Sequence, residues 1–280
     1  MTRALVVAAI VAVSGLAACR QAEPPSQPPA AQAEAAPSPT HFAALFAEFK
    51  PVTLSNCTFE RIGDPNDGGY VMCGNLLSRG KAAYSYGIAY TDEWGCAVSR
   101  RLGVPVHQYD CFDTRPPACE AGTPVFHAEC VGPARVTDEG RVFDTVQAQI
   151  ARNGDSGKRL IMKMDVEGAE WPSLLAMPDT VLSRIDQLSL EFHRVNDPKT
   201  IDVIRKLKET FFVVNVHYNN AACDPRVAPF PAWAFQVLLV NKYVGALDTA
   251  AGAPGPNPLD APDDPQMPDC QAVAPGQAFY

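Results

Sequence analysis

Positive charge is scarce in this chain. Its 280 residues carry 23 lysines and arginines against 31 aspartates and glutamates, a formal net charge of −8. The basic footprint that neutralises phosphates is therefore missing, which argues against nucleic acid as a partner. The last 36 residues lack positive charge altogether, with Asp248, Asp260, Asp263, Asp264 and Asp269 and no lysine or arginine. No Cys-x-x-Cys pair occurs, so a structural zinc site has little support. No internal repeat is visible, and the ten-residue apolar run at 4–13 is too short to span a bilayer.

Proline is present but unevenly placed. Six of the 26 fall in residues 1–40 and seven in residues 245–280, so half of them lie in the two ends. Four segments follow: 1–18, a tether at 19–40 rich in Pro and Ala, a nearly neutral body at 41–244 long enough for a full core, and an acidic Pro-rich tail at 245–280. Both the tether and the tail are expected to be loose, because they have little apolar surface to bury. Arg3, the apolar run and then Ser14-Gly15-Leu16-Ala17-Ala18-Cys19 have the order of a secretory signal. Leu-Ala-Ala-Cys resembles the bacterial lipoprotein signal, which implies lipidation of Cys19 and export on a membrane anchor. Arg20 resembles the sorting signal for the outer membrane, facing the periplasm or the cell surface. An ordinary secretory signal is the alternative. Eight further cysteines remain, an even number that permits disulfides outside the cytosol. Cys57 with Cys73, and Cys223 with Cys270, are the expected pairs, the second as a pin for the tail. Several buried thiols are the competing reading.

From Lys81 onward short apolar runs alternate with amphipathic stretches, the pattern of a parallel sheet covered by helices. Strands are expected at 82–86, 104–109, 124–129, 159–164 and 187–192. Helices are expected at 93–102, 143–152, 171–176 and 198–210, the last with Ile201, Ile204 and Leu207 at helical spacing. Two consecutive strands, 211–216 and 235–240, close the α/β, doubly wound order. Ligands in such sheets sit beyond the carboxyl ends of the strands. There the chain places Tyr86, Gly87 and Ile88, then Asp110, then Asp165, Glu167 and Glu170, then Glu191 and His193, then His217, Asn219 and Asn220. A purely packing role would favour apolar residues at these positions.

Lys163-Met164-Asp165-Val166-Glu167-Gly168-Ala169-Glu170-Trp171 resembles the K-x-D-x-E-G-x-E signature of FkbM-like, S-adenosylmethionine-dependent methyltransferases. The methyltransferase-like 24 branch is the nearer likeness. It shares Arg61-Ile62-Gly63-Asp64, Asp67-Gly68-Gly69-Tyr70 with Cys73, Ser85-Tyr86-Gly87-Ile88, Glu191-Phe192-His193 and His217-Tyr218-Asn219-Asn220. The likeness runs from Cys57 to Lys242. It implies a Rossmann-like, seven-stranded methyltransferase sheet whose last strand is antiparallel, with S-adenosylmethionine as cofactor. The cofactor-binding residues it implies are Asp67, Gly69, Tyr86, Gly87, Ile88, Asp110, Asp165 and Glu167. Gly87 lets the backbone approach the ligand, Asp110 is placed to accept from ribose hydroxyls, and Asp165 is placed to hold the cofactor's amino group or take the acceptor's proton. One glycine stands where the common methyltransferase loop has three, and Asp67-Gly68-Gly69 also reads as a hairpin turn.

Asp165, His193 and His217 are the catalytic candidates, the histidines as general bases. A divalent metal on Asp165, Glu167 and His193 is the other use of the same groups. His41, His107 and His127 are read as structural. The expected acceptor is a small molecule, glycan or lipid bearing a hydroxyl. An exported binding module that keeps the sheet without catalysis is the competing class, and a metal-dependent hydrolase is a third.

Overall fold

The computed structural model describes residues 38–271. The expected signal at 1–18, Cys19 as the expected lipidation site and the expected tether up to residue 37 lie outside the described residues. The body starts earlier than position 41. Ser38 caps α1 (Pro39–Glu48), whose first residue is a proline that needs no N–H partner there. Its Phe42 and Leu45 are buried in the core.

A hairpin follows, β1 (Phe59–Gly63) and β2 (Gly69–Cys73), with Asp67-Gly68 in the turn as the hairpin reading requires. Then come β3 (Ala82–Tyr86), α2 (Glu93–Leu102), β4 (Val106–Tyr109) and β5 (Pro124–His127). Asp92 caps α2 by accepting from Gly95 N–H, and Gly103 ends it in the left-handed conformation at φ 61°. A small sheet of β6 (Cys130–Val131), β7 (Val136–Asp138) and β8 (Arg141–Asp144) precedes α3 (Val146–Arg152). Phe143, expected in that helix, is in β8, because the Thr145 cap starts the helix later. The rest of the body is β9 (Leu160–Met164), α4 (Glu170–Ala176), α5 (Asp179–Leu182), β10 (Ile185–His193), α6 (Thr200–Thr210), β11 (Phe211–Tyr218) and β12 (Ala234–Asn241).

Seven strands make one mixed sheet in the order β11-β12-β10-β9-β3-β4-β5. β3, β4, β5, β9 and β10 run parallel, and β12, the last in sequence, is antiparallel to both of its neighbours. Every residue of β9, β10 and β12 is buried, as expected of strands covered on both faces. One face packs on α1, α3, α4 and α6 through Leu45, Ile150, Leu174 and Leu207. The other packs on α2 and the hairpin through Trp94, Val98, Tyr70 and Met72. Among the described residues no helix is long and apolar enough to cross a membrane.

Four disulfides form: Cys57–Cys73, Cys96–Cys119, Cys111–Cys130 and Cys223–Cys270. Both expected pairs are among them, and none of the eight cysteines is left as a thiol. The tail, expected to be loose, is packed as far as residue 271. Asn66 donates to Pro262 O, Asn220 donates to Asp264 O and Met267 O, and Asp248 N–H donates to Thr53 O. Composition misleads here for a physical reason. Proline has no N–H to satisfy, so a few asparagine side chains can meet the polar needs of such a strap without regular structure.

Candidate active site at the carboxyl edge of the sheet

β3 and β9 lie side by side and part after Tyr86 and Met164. Asp165 N–H donates to Tyr86 O, and Gly87 N–H donates to Tyr109 O, each bond about 3 Å long. Gly87 has φ +70°, and a Cβ there would lie 1.5 Å from the carbonyl oxygen of Asp165, so only glycine fits. A cavity of about 690 Å³ opens at this point. On the β4 side it is lined by Phe112, Val131 and Phe143 together with Asp110 and Asp113; on the β9 and hairpin side it carries Asp64, Asp67, Asp165 and Glu167. Ala89 and Glu167 line it with φ of 45° and 56°, and Arg194, just beyond β10, has φ 59°. Three non-glycine residues in this uncommon conformation thus follow three adjacent strands, where strain concentrates in functional loops.

Asp110 reaches the cavity wall with its carboxylate already occupied. One oxygen accepts from the N–H groups of Ile88 and Ala89, the other from those of Phe112 and Asp113, at 2.8 to 3.1 Å. A carboxylate has about four lone-pair positions, so none is left for the ribose hydroxyls expected there. Asp110 shapes the loop after β3 instead.

The β9–β10 corner is built differently. Tyr70 of the hairpin donates to Asp165 Oδ2 at 2.8 Å, and Lys163 Nζ lies 3.6 Å from the same oxygen while donating to Gly87 O. Glu170, fully buried at the start of α4, accepts from the N–H groups of Val166 and Gly168 and pairs with His193 Nδ1 at 3.1 Å. The other ring nitrogen, Nε2, lies 3.8 Å from Glu167 Oε2 and 3.9 Å from both Asp165 Oδ1 and Glu191 Oε1. Burial alone would lower the His193 pKa. The hydrogen bond and charge of Glu170, followed by Glu191 and Asp165, outweigh it and push the pKa up to about 9. Burial, then the charge of Asp165, pushes Glu191 up to about 8, against the hydrogen bond from Asn219. Burial and then Asp165 also hold the Tyr70 phenol well above its ordinary value.

Of the expected site residues, Asp67, Gly87, Ile88, Asp110, Asp165 and Glu167 line the cavity, and His193 stands beside it. Gly69 does not line it. It is buried in β2, where a Cβ would meet Asp64 O at 1.9 Å, and Gly68 is the glycine that faces the cavity. The Tyr86 side chain does not line the cavity; it is buried in a stack with Tyr84 and Tyr109, and its carbonyl accepts from Lys163 at the corner. His217 is not part of the constellation either. It aligns with Gln236 and Glu191 across three strands, so two spacings of about 4.8 Å separate it from Glu191. Its Nδ1 lies 3.8 Å from Asp260 in the strap.

The three remaining histidines are tied into the structure. His41 contacts Val195 O, and His107 bridges His127 and Asp155 at 3.1 and 3.2 Å. Sequence reading passed over Tyr70 and Lys163 as site residues. A lysine inside an otherwise apolar strand was a usable signal, since such residues are seldom buried without a partner. Compared with known proteins, the chain matches no family model, no curated protein and no solved structure.

Proposed function

We propose that the chain is an S-adenosylmethionine-dependent methyltransferase acting on a hydroxyl group of a sugar, lipid or other small molecule. The observation that carries this reading is the cavity at Gly87, which combines apolar rings with carboxylates. A purine suits the side chains of Phe112, Val131 and Phe143; a group with cationic amine and sulfonium centres suits the carboxylates of Asp64, Asp67, Asp165 and Glu167; and Gly87 admits the backbone's close approach to the ligand. The antiparallel last strand, inserted beside β10, fits the sheet that the family likeness implies. When bound, the donor supplies an electrophilic methyl group, which passes to the acceptor oxygen as its carbon–sulfur bond breaks. The acceptor's proton goes to Asp165, whose carboxylate lines the cavity and is held in place by Tyr70. His193 is held by Glu170 through Nδ1 and stands 3.9 Å from Asp165, beside the cavity rather than on its wall. Asp165→Ala is expected to cut donor-dependent turnover by about 1,000-fold with the fold retained; full activity in that variant would show that the centre lies elsewhere.

The four disulfides support export, since they persist in oxidising compartments. They also favour a second reading, because the donor is made in the cytosol: an exported module that binds a small ligand in this cavity and transfers nothing. In either case Cys19 is the anchor. Cys19→Ala is expected to release the protein from membranes, and a variant that still partitions with them through detergent extraction would refute the lipid anchor.

A further inference from the structure

The geometry points to a divalent-cation site centred on His193 Nε2, with Asp165, Glu167 and Glu191 as the other ligands and Glu170 as the residue that orients the ring. The His193 side chain is only 5% exposed, and its hydrogen bond to Glu170 is made through Nδ1, which leaves Nε2 for the carboxylates on the other side. It faces three carboxylate oxygens at 3.8 to 3.9 Å from three different residues. Ligands about 2.1 Å from a common ion lie roughly 3.0 Å apart when adjacent and roughly 4.2 Å apart when opposite. The three separations from Nε2 fall within that range, and Asp165, Glu170 and His193 bring one ligand atom each within 4.8 Å of one another.

The outer contacts are those of a metal-binding histidine. Its other nitrogen is fixed by a buried carboxylate, Glu170, which is itself held by two backbone N–H groups. Asp165 keeps Oδ1 free toward the centre while Oδ2 takes the Tyr70 hydroxyl. Glu167 stands on a loop residue at φ 56° with its side chain 80% exposed, so it can close onto an ion at little cost. One imidazole among hard carboxylate oxygens suits Mn²⁺, with Mg²⁺ or Ca²⁺ as weaker occupants. The site adjoins the cavity wall at Asp165 and Glu167 and does not depend on a methyl donor.

The test is a titration of the full chain, in mild detergent and without donor, with Mn²⁺, followed by loss of the free-ion electron paramagnetic resonance signal. One Mn²⁺ per chain is expected. His193→Ala should abolish binding. Glu170→Gln should weaken it about 10-fold to 100-fold, the usual cost of losing an orienting partner. Glu167→Gln should weaken it about 10-fold; because this residue is exposed, the variant is not expected to unfold. No binding at 1 mM Mn²⁺, or binding left unchanged by Glu167→Gln and His193→Ala, would overturn the proposal. Because no donor is present, either outcome leaves the methyltransferase reading to be judged on its own.

Discussion

Two carboxylates at the same edge of the sheet have opposite surroundings. Asp110, after β4, is filled by four backbone N–H groups, and its negative charge is spent on holding two loops. Asp165, after β9, receives one tyrosine hydroxyl and faces a histidine and a lysine at longer range. Glu191, in the same corner, is buried with a single asparagine donor and titrates far from its ordinary range. The difference teaches how to separate structure from chemistry among acidic residues that look alike in sequence. A carboxylate saturated by the backbone stabilises its loop, whereas one left with unfilled capacity in a cavity is available to a ligand.

That contrast can be broken by substitution. Asp110→Ala orphans four N–H groups at once. It is expected to cost about 4 kcal/mol of stability, read from denaturant unfolding, since even partly buried donors without partners cost about 1 kcal/mol each. Asp165→Asn keeps an acceptor for Tyr70 and should cost less than about 1 kcal/mol. If the two losses came out equal, or reversed, the division between a structural and a chemical carboxylate would fail.

A smaller effect sharpens the contrast in the strap. Burial, then the charge of Asp67, pushes Asp263 up to about 7, against the opposing charge of Arg61. Asp165 also bears on Asp263, while Asp260 and His217 form a neighbouring pair under the same strap. A carboxyl whose pKa is raised on folding contributes stability that is complete below about 3.8 and is lost as pH rises through about 7. Hydrogen exchange across residues 257–267, corrected for intrinsic rates, should therefore be faster at pH 8.5 than at pH 5.5. Asp263→Asn cannot ionise and should flatten that difference; an unchanged pH dependence in the variant would remove Asp263 as its cause.

Much of the sheet was legible because strands covered on both faces read as nearly continuous apolar runs, interrupted by Lys163 within 160–164 and by Gln236 within 235–240. The limits of α2 were legible from Asp92 and Gly103, whose chemistry starts and stops a helix regardless of tertiary contacts. Asp165 and Gly87 were found because the strand order itself puts them at the ligand edge. What could not be read depends on contacts between distant residues. Tyr70 meets Asp165 across 95 positions, and Asn66 reaches Pro262 across 196. The saturation of Asp110 arises from the folding of two loops, which periodicity does not encode. Nor could the position of His217 be told from its place at a strand end, because the insertion of β12 sets it one strand further from the corner.

The most direct measurement of the central claim is a calorimetric titration of the full chain, in mild detergent, with S-adenosylmethionine, together with its melting curve. Binding at a single site with a raised melting temperature is the predicted result. No heat, and no protection against unfolding at millimolar donor, would contradict it.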